Sequence, residues 1–91
     1  MDVVILTPRA QKDLAKIPDY IQLKLASWSR DIEEFGLEQV RKVKGYHDEP
    51  LKGDRKGQRS IRLSKAYRAI YVIEQGELRI IEVREVHKHK Y

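Results

Sequence analysis

The 91-residue chain contains no cysteine, one methionine, one tryptophan and one phenylalanine. Without cysteine it can form no disulfide framework, no thiolate metal site and no cysteine nucleophile, as suits a reducing compartment. No apolar run approaches the roughly 20 residues of a membrane-spanning helix. Segment 1–8 also lacks the basic region and long apolar stretch of a signal peptide. We therefore expect a cytoplasmic protein that does not enter a membrane.

The length permits one small domain, residues 1–91, and little else. A chain of this size buries roughly two-thirds of the surface that its unfolded form exposes, so a deeply buried substrate cavity is not expected.

The formal net charge is +5, and it is distributed unevenly. Residues 1–48 hold eight Lys or Arg and eight Asp or Glu, whereas residues 49–91 hold eleven and six. A basic half of this kind is typical of a surface that meets nucleic acid or another anion. An ordinary solvated basic face would produce the same count, so the charge alone does not decide between them.

The first half has the pattern of one strand followed by helices. Residues 3–6 are a short apolar run typical of a strand. Thr7 and Pro8 then resemble an N-cap residue and the first helical position. The predicted first helix carries its apolar stripe at Ala10, Leu14 and Ile17, and Pro18 restarts the pattern. The stripe of the second helix is Ile21, Leu25, Trp28, Ile32 and Phe35.

Gly36 is placed to end the long helix, and a third short helical piece is expected from Leu37 towards Gly45. Residues 45–57 are rich in glycine and charge and predict a loop. Three strands follow, at 59–64, 67–73 and 78–86, with spacing typical of an antiparallel meander. The predicted fold class is α+β, in the order β-α-α-β-β-β, with two N-terminal helices covering one face of a mostly antiparallel sheet.

The second half also holds the components of a ribonuclease that needs no metal ion and no other cofactor. Such an enzyme requires a base for the ribose 2′-OH, an acid for the leaving 5′-oxygen and fixed cations for the phosphorane. The candidates are the loop carboxylate Glu49, the C-terminal His87, His89 and Tyr91, and the cations Lys52, Arg55, Lys56, Arg59, Arg62 and Arg68.

Each candidate also has a purely structural interpretation. Glu49 could be a solvated loop carboxylate, and the two arginines of the strands, Arg62 and Arg68, could form cross-strand salt bridges. The acidic partners for such bridges would be Glu74, Glu82 or Glu85. His87 and His89 share one strand face but lack a third ligand, which makes a metal site improbable. Trp28, Tyr67 and Tyr71 are expected to be packing aromatics rather than base-stacking platforms.

Four segments together resemble the RelE/ParE superfamily of type II toxins, most closely the HigB and YoeB branches. They are Glu49-Pro50-Leu51-Lys52-Gly53-Asp54 with Gly57, Ser60-Ile61-Arg62-Leu63, Tyr67-Arg68-Ala69-Ile70-Tyr71, and Val86-His87-Lys88-His89-Lys90-Tyr91. The resemblance covers essentially the whole chain. It implies a toxin that enters the ribosomal A site, binds rRNA and mRNA, cuts the mRNA there and is inhibited by a cognate antitoxin protein.

The resemblance also implies roles for individual residues. Glu49 would be the general base, and Arg68 the cation at the scissile phosphate. His87, or His89 two residues further on, would be the general acid, and Tyr91 would stack on a base or flank the leaving group. Lys52 would be a cation on the phosphate side, and Arg62 lies where RelE-type members carry a functional basic residue. Because of their charge, we expect a set of cations to bind RNA: Lys52, Arg55, Lys56, Arg59 and Arg62.

The chain departs from HigB at two positions, because HigB has a histidine where this chain has Glu49 and a tyrosine where it has Val86. Two other functions stay open. A ParE-like gyrase inhibitor shares the fold and acts by binding protein, and a non-catalytic RNA- or ribosome-binding module would explain the charge equally well. By analogy with the family, the antitoxin is expected on the exposed flanks of the long helix around Trp28.

Overall fold

The computed structural model describes residues 1–88. Within this range the helices are α1 (Pro8–Ala15), α2 (Asp19–Phe35) and α3 (Leu37–Arg41). The strands are β1 (Asp2–Leu6), β2 (Glu49–Pro50), β3 (Arg59–Arg62), β4 (Tyr67–Gln75) and β5 (Arg79–Lys88). Two 3₁₀ turns, Lys44–Tyr46 and Gly53–Arg55, lie between α3 and β3. The predicted roles of His89 and Tyr91 fall outside the described residues.

The strands form one sheet in the order β1-β5-β4-β3-β2. The β1–β5 pair is parallel and the other three pairs are antiparallel, so the predicted α+β fold with a mostly antiparallel sheet is confirmed. One strand was not predicted. The two residues of β2 pair with β3 from inside the stretch that was expected to be a loop.

The start of α1 follows the sequence prediction, whereas its end does not. The Thr7 hydroxyl accepts a hydrogen bond from the amide of Ala10 at 3.1 Å, with Pro8 in the first turn. The helix ends at Ala15, so the prediction that it includes Ile17 is wrong. Proline disfavours helical backbone in the residue before it, and Pro18 is the N-cap of α2.

The apolar stripe of α2 is confirmed at four of its five positions. Ile21, Leu25, Trp28 and Ile32 are at most 2% exposed, and the Trp28 ring lies 5.3 Å from that of Tyr71 on β4. The fifth residue, Phe35, is 60% exposed. Gly36 follows it with a φ of 88° and redirects the chain. The buried positions at this end of the core belong instead to Leu37 and Val40 of α3.

A β-bulge in the β4–β5 pair determines which side chains of β5 face the helices. Ile70 pairs with Glu85, but the next residue, Tyr71, pairs with Val83, so Arg84 is the extra residue. Alternation therefore shifts by one position. Val83 and Val86 are both in the core despite their odd spacing, whereas Glu85 falls on the opposite, open face of the sheet together with Ile70.

The N-terminal strand is joined to the rest of the domain by ionic contacts. The Asp2 carboxylate accepts a hydrogen bond from the amide of Leu37 at 2.7 Å and two from Arg79, at 2.6 and 2.8 Å. Arg79 also pairs with Glu38. The hydrogen bond from Arg79 lowers the pKa of Asp2, against the opposing effect of burial, and lowers the pKa of Glu38 in the same way. Asp2, Arg79 and Glu38 therefore connect β1, β5 and α3.

Candidate active site

A cleft of about 410 Å³ lies on the open face of the sheet. Its floor is formed by β3 and β4 and its sides by β2, the 3₁₀ turn Gly53–Arg55 and β5. Seven residues line it: Glu49, Leu51, Arg55, Ser60, Arg68, Ile70 and His87. Four of these are charged or titratable residues that the sequence had singled out.

Arg68 lies at the centre of this cleft. In the sheet register it stands opposite Arg62 on β3 and opposite His87 on β5. Its Nε donates to the Ser60 hydroxyl at 2.6 Å, and its Nη2 lies 3.3 Å from Oε1 of Glu49. With only 17% of the side chain exposed, these contacts fix the plane and direction of the guanidinium.

Glu49 reaches Arg68 from the edge of the sheet. Its backbone pairs with Ser60, which brings β2 beside β3, and its side chain is 63% exposed. The carboxylate is therefore held near a cation and is still accessible to a ligand from solvent. A base for an RNA hydroxyl needs such access.

The residue before Glu49 is fixed on the opposite face of the sheet. The Asp48 side chain is 1% exposed and pairs with Nε of Arg59 at 2.6 Å, and it accepts a hydrogen bond from the Tyr71 hydroxyl at 2.5 Å. Burial, reinforced by the Asp48 carboxylate, strongly raises the pKa of Tyr71, so the phenol stays protonated and remains a donor. Asp48 thus attaches β2 to the core beneath the cleft.

His87 borders the cleft on the β5 side, and its side chain is 41% exposed. Its Nε2 lies 3.8 Å from Oε1 of Glu85, two residues earlier on the same face. That oxygen also accepts a hydrogen bond from Nη2 of Arg55 at 3.2 Å. The cleft thus has Glu49 and Arg68 on one side and His87, Glu85 and Arg55 on the other.

Arg62 lies in the same cross-strand row but is not among the lining residues. Its Nη1 is 3.5 Å from Nε2 of His47, and its Nε donates to the carbonyl of Ser64 at 3.4 Å.

Comparisons with known proteins identify the family of the chain. Residues 4–90 match the family described as the ParE toxin of the type II toxin-antitoxin system parDE. The chain belongs to this family. The RelE/ParE resemblance drawn from the sequence is therefore confirmed. No protein with a curated description matches the sequence significantly.

Solved structures show the same fold for this toxin. The YoeB/ParE toxin from Agrobacterium tumefaciens superposes with a TM-score of 0.74 at 20% identity, over 97% of this chain and 99% of that one. YafQ from E. coli gives 0.75 at 18%, over 98% and 94%. The RelBE2 toxin-antitoxin complex from Mycobacterium tuberculosis gives 0.70 at 23%, over 96% of each chain.

The remaining cations predicted to bind RNA are not in the cleft. Lys52 and Lys56 are exposed on the segment that leads to β3, outside the lining of the cleft. Arg59 lies on the helix-facing side of the sheet in its pair with Asp48, and its side chain is 21% exposed. This placement fits an anchoring contact better than the expected contact with RNA.

Two structural interpretations of the sequence can now be assessed. The alternative of cross-strand salt bridges for Arg62 and Arg68 does not hold, because neither arginine pairs with Glu74, Glu82 or Glu85 within residues 1–88. The packing role of the aromatics is confirmed: Trp28 and Tyr71 are in the core, and Tyr67 packs against it. Within residues 1–88 no three His, Asp or Glu side chains converge as a metal ion would require.

Sequence reasoning missed three residues that organise the site: Asp48, Ser60 and Glu85. Each acts through a contact with a candidate that had been found. The signal for Ser60 was its place opposite Ile70, next to the Arg62–Arg68 pair in the sheet register. For Glu85 the signal was its i, i+2 spacing from His87 on one strand face. Asp48 gave no signal, because its partners are distant in sequence.

Among residues 1–88, none of the helices has the length and apolar character that a membrane span requires.

Proposed function

We propose that this toxin is an endoribonuclease that cuts mRNA in the A site of the ribosome. One observation carries the proposal: a carboxylate, a guanidinium and an imidazole, from Glu49, Arg68 and His87, line a single open cleft. General acid–base cleavage of RNA needs these three kinds of group at one place.

In the proposed reaction Glu49 removes the proton from a ribose 2′-OH. The 2′-oxygen attacks the adjacent phosphorus, the bond from phosphorus to the 5′-oxygen breaks, and a 2′,3′-cyclic phosphate remains. His87 gives its proton to the departing 5′-oxygen, so the proton balance closes without a metal ion. Arg68 stabilises the negative charge that grows on the phosphorane. His89 and Tyr91 remain alternative sources of the proton, and Lys52 a further cation at the phosphate.

The same proposal includes the partners of the toxin. Three exposed cations, Lys52, Arg55 and Lys56, lie on the segment between β2 and β3. They would attract rRNA and mRNA phosphates without regard to sequence. A cognate antitoxin is the expected inhibitor. Two similar structures, the DinJ-YafQ complex from E. coli and the YoeB-YefM complex from Staphylococcus aureus, contain the toxin together with a second protein.

A second candidate function is supported by the family itself. The matched family bears the ParE name, and a ParE-like toxin would inhibit DNA gyrase by binding it rather than by cleaving RNA. This function would need neither Glu49 nor His87 as a proton carrier. A non-catalytic module that binds the ribosome through its basic side is the third candidate.

Primer extension on an mRNA in a purified translation system separates these candidates. The proposal predicts stops within codons that require both toxin and ribosomes, and that disappear with the Arg68→Ala variant. Cleaved gyrase–DNA complexes without such stops would identify a gyrase inhibitor. Translation arrest without cleaved mRNA would identify a binding module. Either of the last two results would overturn the proposal.

A further inference from the structure

The side chain of Glu85 is more deeply buried than either of its charged neighbours. It is 13% exposed, against 41% for His87 and 47% for Arg55. A carboxylate so far out of water is stable only when it is paired. Both partners approach the same oxygen, Oε1, at 3.2 Å from Arg55 and 3.8 Å from His87. They therefore share, and compete for, one acceptor.

The surroundings of His87 would otherwise oppose its charged form. Arg68 is its register partner on β4, Arg62 continues that row on β3, and Arg55 approaches from the 3₁₀ turn. Neighbouring cations disfavour a further positive charge.

Two carboxylates contact the charged groups of the cleft. Glu49 on β2 is paired with Arg68, which leaves Glu85 as the acceptor within ion-pairing distance of His87. The interaction has a direction, because a carboxylate attracts an imidazolium and has no such attraction for the neutral ring.

We propose that Glu85 is a positioning residue that keeps His87 protonated and directed into the cleft. This inference deepens the proposed function and rests on it for its role in cleavage. The electrostatic claim concerns the protein alone. Arg55 opposes this effect, because its guanidinium contacts the same carboxylate oxygen and weakens the attraction between Glu85 and His87.

The direct test is an NMR titration of the His87 imidazole in the free toxin, with its signal assigned by its loss in the His87→Ala variant. Glu85→Gln should move the midpoint down by roughly one pH unit. Arg55→Gln should move it up by roughly half a unit, because Glu85 loses its competitor and the cleft loses a cation. If Glu85→Gln does not fold, Glu85→Asp decides the question, because the shorter side chain keeps the charge but withdraws it from the imidazole and should lower the midpoint.

Glu82→Gln is the matched control. Glu82 is on the same strand, is similarly buried at 18% exposure and is paired with Arg84 rather than with a residue of the cleft. It should leave the midpoint unchanged. Equal shifts in the Glu82 and Glu85 variants, or no shift in the Glu85 and Arg55 variants, would overturn the inference.

Cleavage provides the second readout. Glu85→Gln should lower kcat about tenfold at pH 7.5, with KM unchanged, and should move the alkaline limb of the pH–rate profile to lower pH. If the NMR midpoint moves as expected but no toxin variant or parent cuts RNA, the proposed function fails and the electrostatic role of Glu85 stands. If the parent cuts RNA but the midpoint does not move, the inference about Glu85 fails alone.

Discussion

The Tyr71 hydroxyl donates a 2.5 Å hydrogen bond to the carboxylate of Asp48, the residue immediately before Glu49. Tyr71 is fully buried under the sheet and Glu49 is exposed above it. Two adjacent residues, one just before β2 and one at its start, therefore have opposite functions. Asp48 attaches β2 to the core, and Glu49 faces the cleft. The position of the candidate base thus depends on a buried contact that no ligand touches.

Tyr71→Phe should lower the free energy of unfolding by about 1–3 kcal/mol, because the buried Asp48 carboxylate loses one of its two donors among residues 1–88 and keeps Arg59. Urea denaturation measures this value. Tyr67→Phe is the control, since the Tyr67 hydroxyl forms no recorded hydrogen bond within residues 1–88 and is on the same strand. If the free energy of unfolding falls equally in the two variants, the hydrogen bond from Tyr71 to Asp48 does not contribute to stability.

Arg68→Ala should reduce cleavage of translated mRNA on the order of 10²–10³-fold while the protein stays folded, because the growing phosphorane charge loses its fixed cation. Growth inhibition and primer extension report the loss, and circular dichroism checks the fold. Arg84→Ala removes an arginine that is 45% exposed and lies outside the cleft, and it should keep its activity. A soluble Arg68→Ala protein that is as toxic as the parent would rule out this role.

Replacing both Lys52 and Lys56 by Gln should weaken ribosome binding and reduce its salt dependence. The slope of log K against log[salt] should fall by roughly one per lost phosphate contact. Lys12 of α1 and Lys16, which caps its C-terminal end, are exposed as well, and their double Gln variant makes the same charge change away from the cleft. An unaltered slope for the Lys52 and Lys56 pair would mean that the loop does not face the ribosome.

The free energy of unfolding should depend on pH through the ionisation of Asp2. Its pKa is lowered in the folded state, chiefly by the hydrogen bond from Arg79. The stabilisation is therefore fully present above the unfolded pKa, near 4, and is lost as the pH falls through the lower folded value. Glu38 adds an effect of the same sign.

We expect the free energy of unfolding to be flat from pH 7 to 5 and to fall below about pH 4. Arg79→Met should be less stable at pH 7 and should lose less on acidification. Urea titrations at pH 7 and pH 3 give both values. An Arg79→Met protein with the same acid response as the parent would show that the Asp2–Arg79 pair is not its source.

The sequence predicted local features well because local rules determine them. The Thr7 cap, the buried stripe of α2 and the turn at Gly36 each depend on neighbours a few residues away. By contrast, β2 has two residues and no hydrophobic alternation, and it exists only because Ser60 and Arg59 pair with it. No local pattern could reveal it.

The candidate site also combines features that the sequence predicted with features that depend on distant contacts. Glu49, Arg68 and His87 were found by residue type and by resemblance, and the sheet register brings them to one cleft. The contacts that hold them depend on distant pairings, such as Asp48 with Tyr71 and Arg55 with Glu85. The bulge opposite Ile70 also had no sequence signal, although it sets the face on which Glu85 and His87 lie.

The most direct measurement of the central claim is the single-turnover rate of mRNA cleavage on programmed ribosomes, for the parent and for His87→Ala, His89→Ala and the double variant. Histidines titrate between about pH 5 and 8, so the parent rate should fall on the alkaline side. The true acid should cost at least ~10²-fold when replaced, and the other histidine far less. We predict that His87 is the acid. A double variant that cuts translated mRNA as fast as the parent would contradict the account.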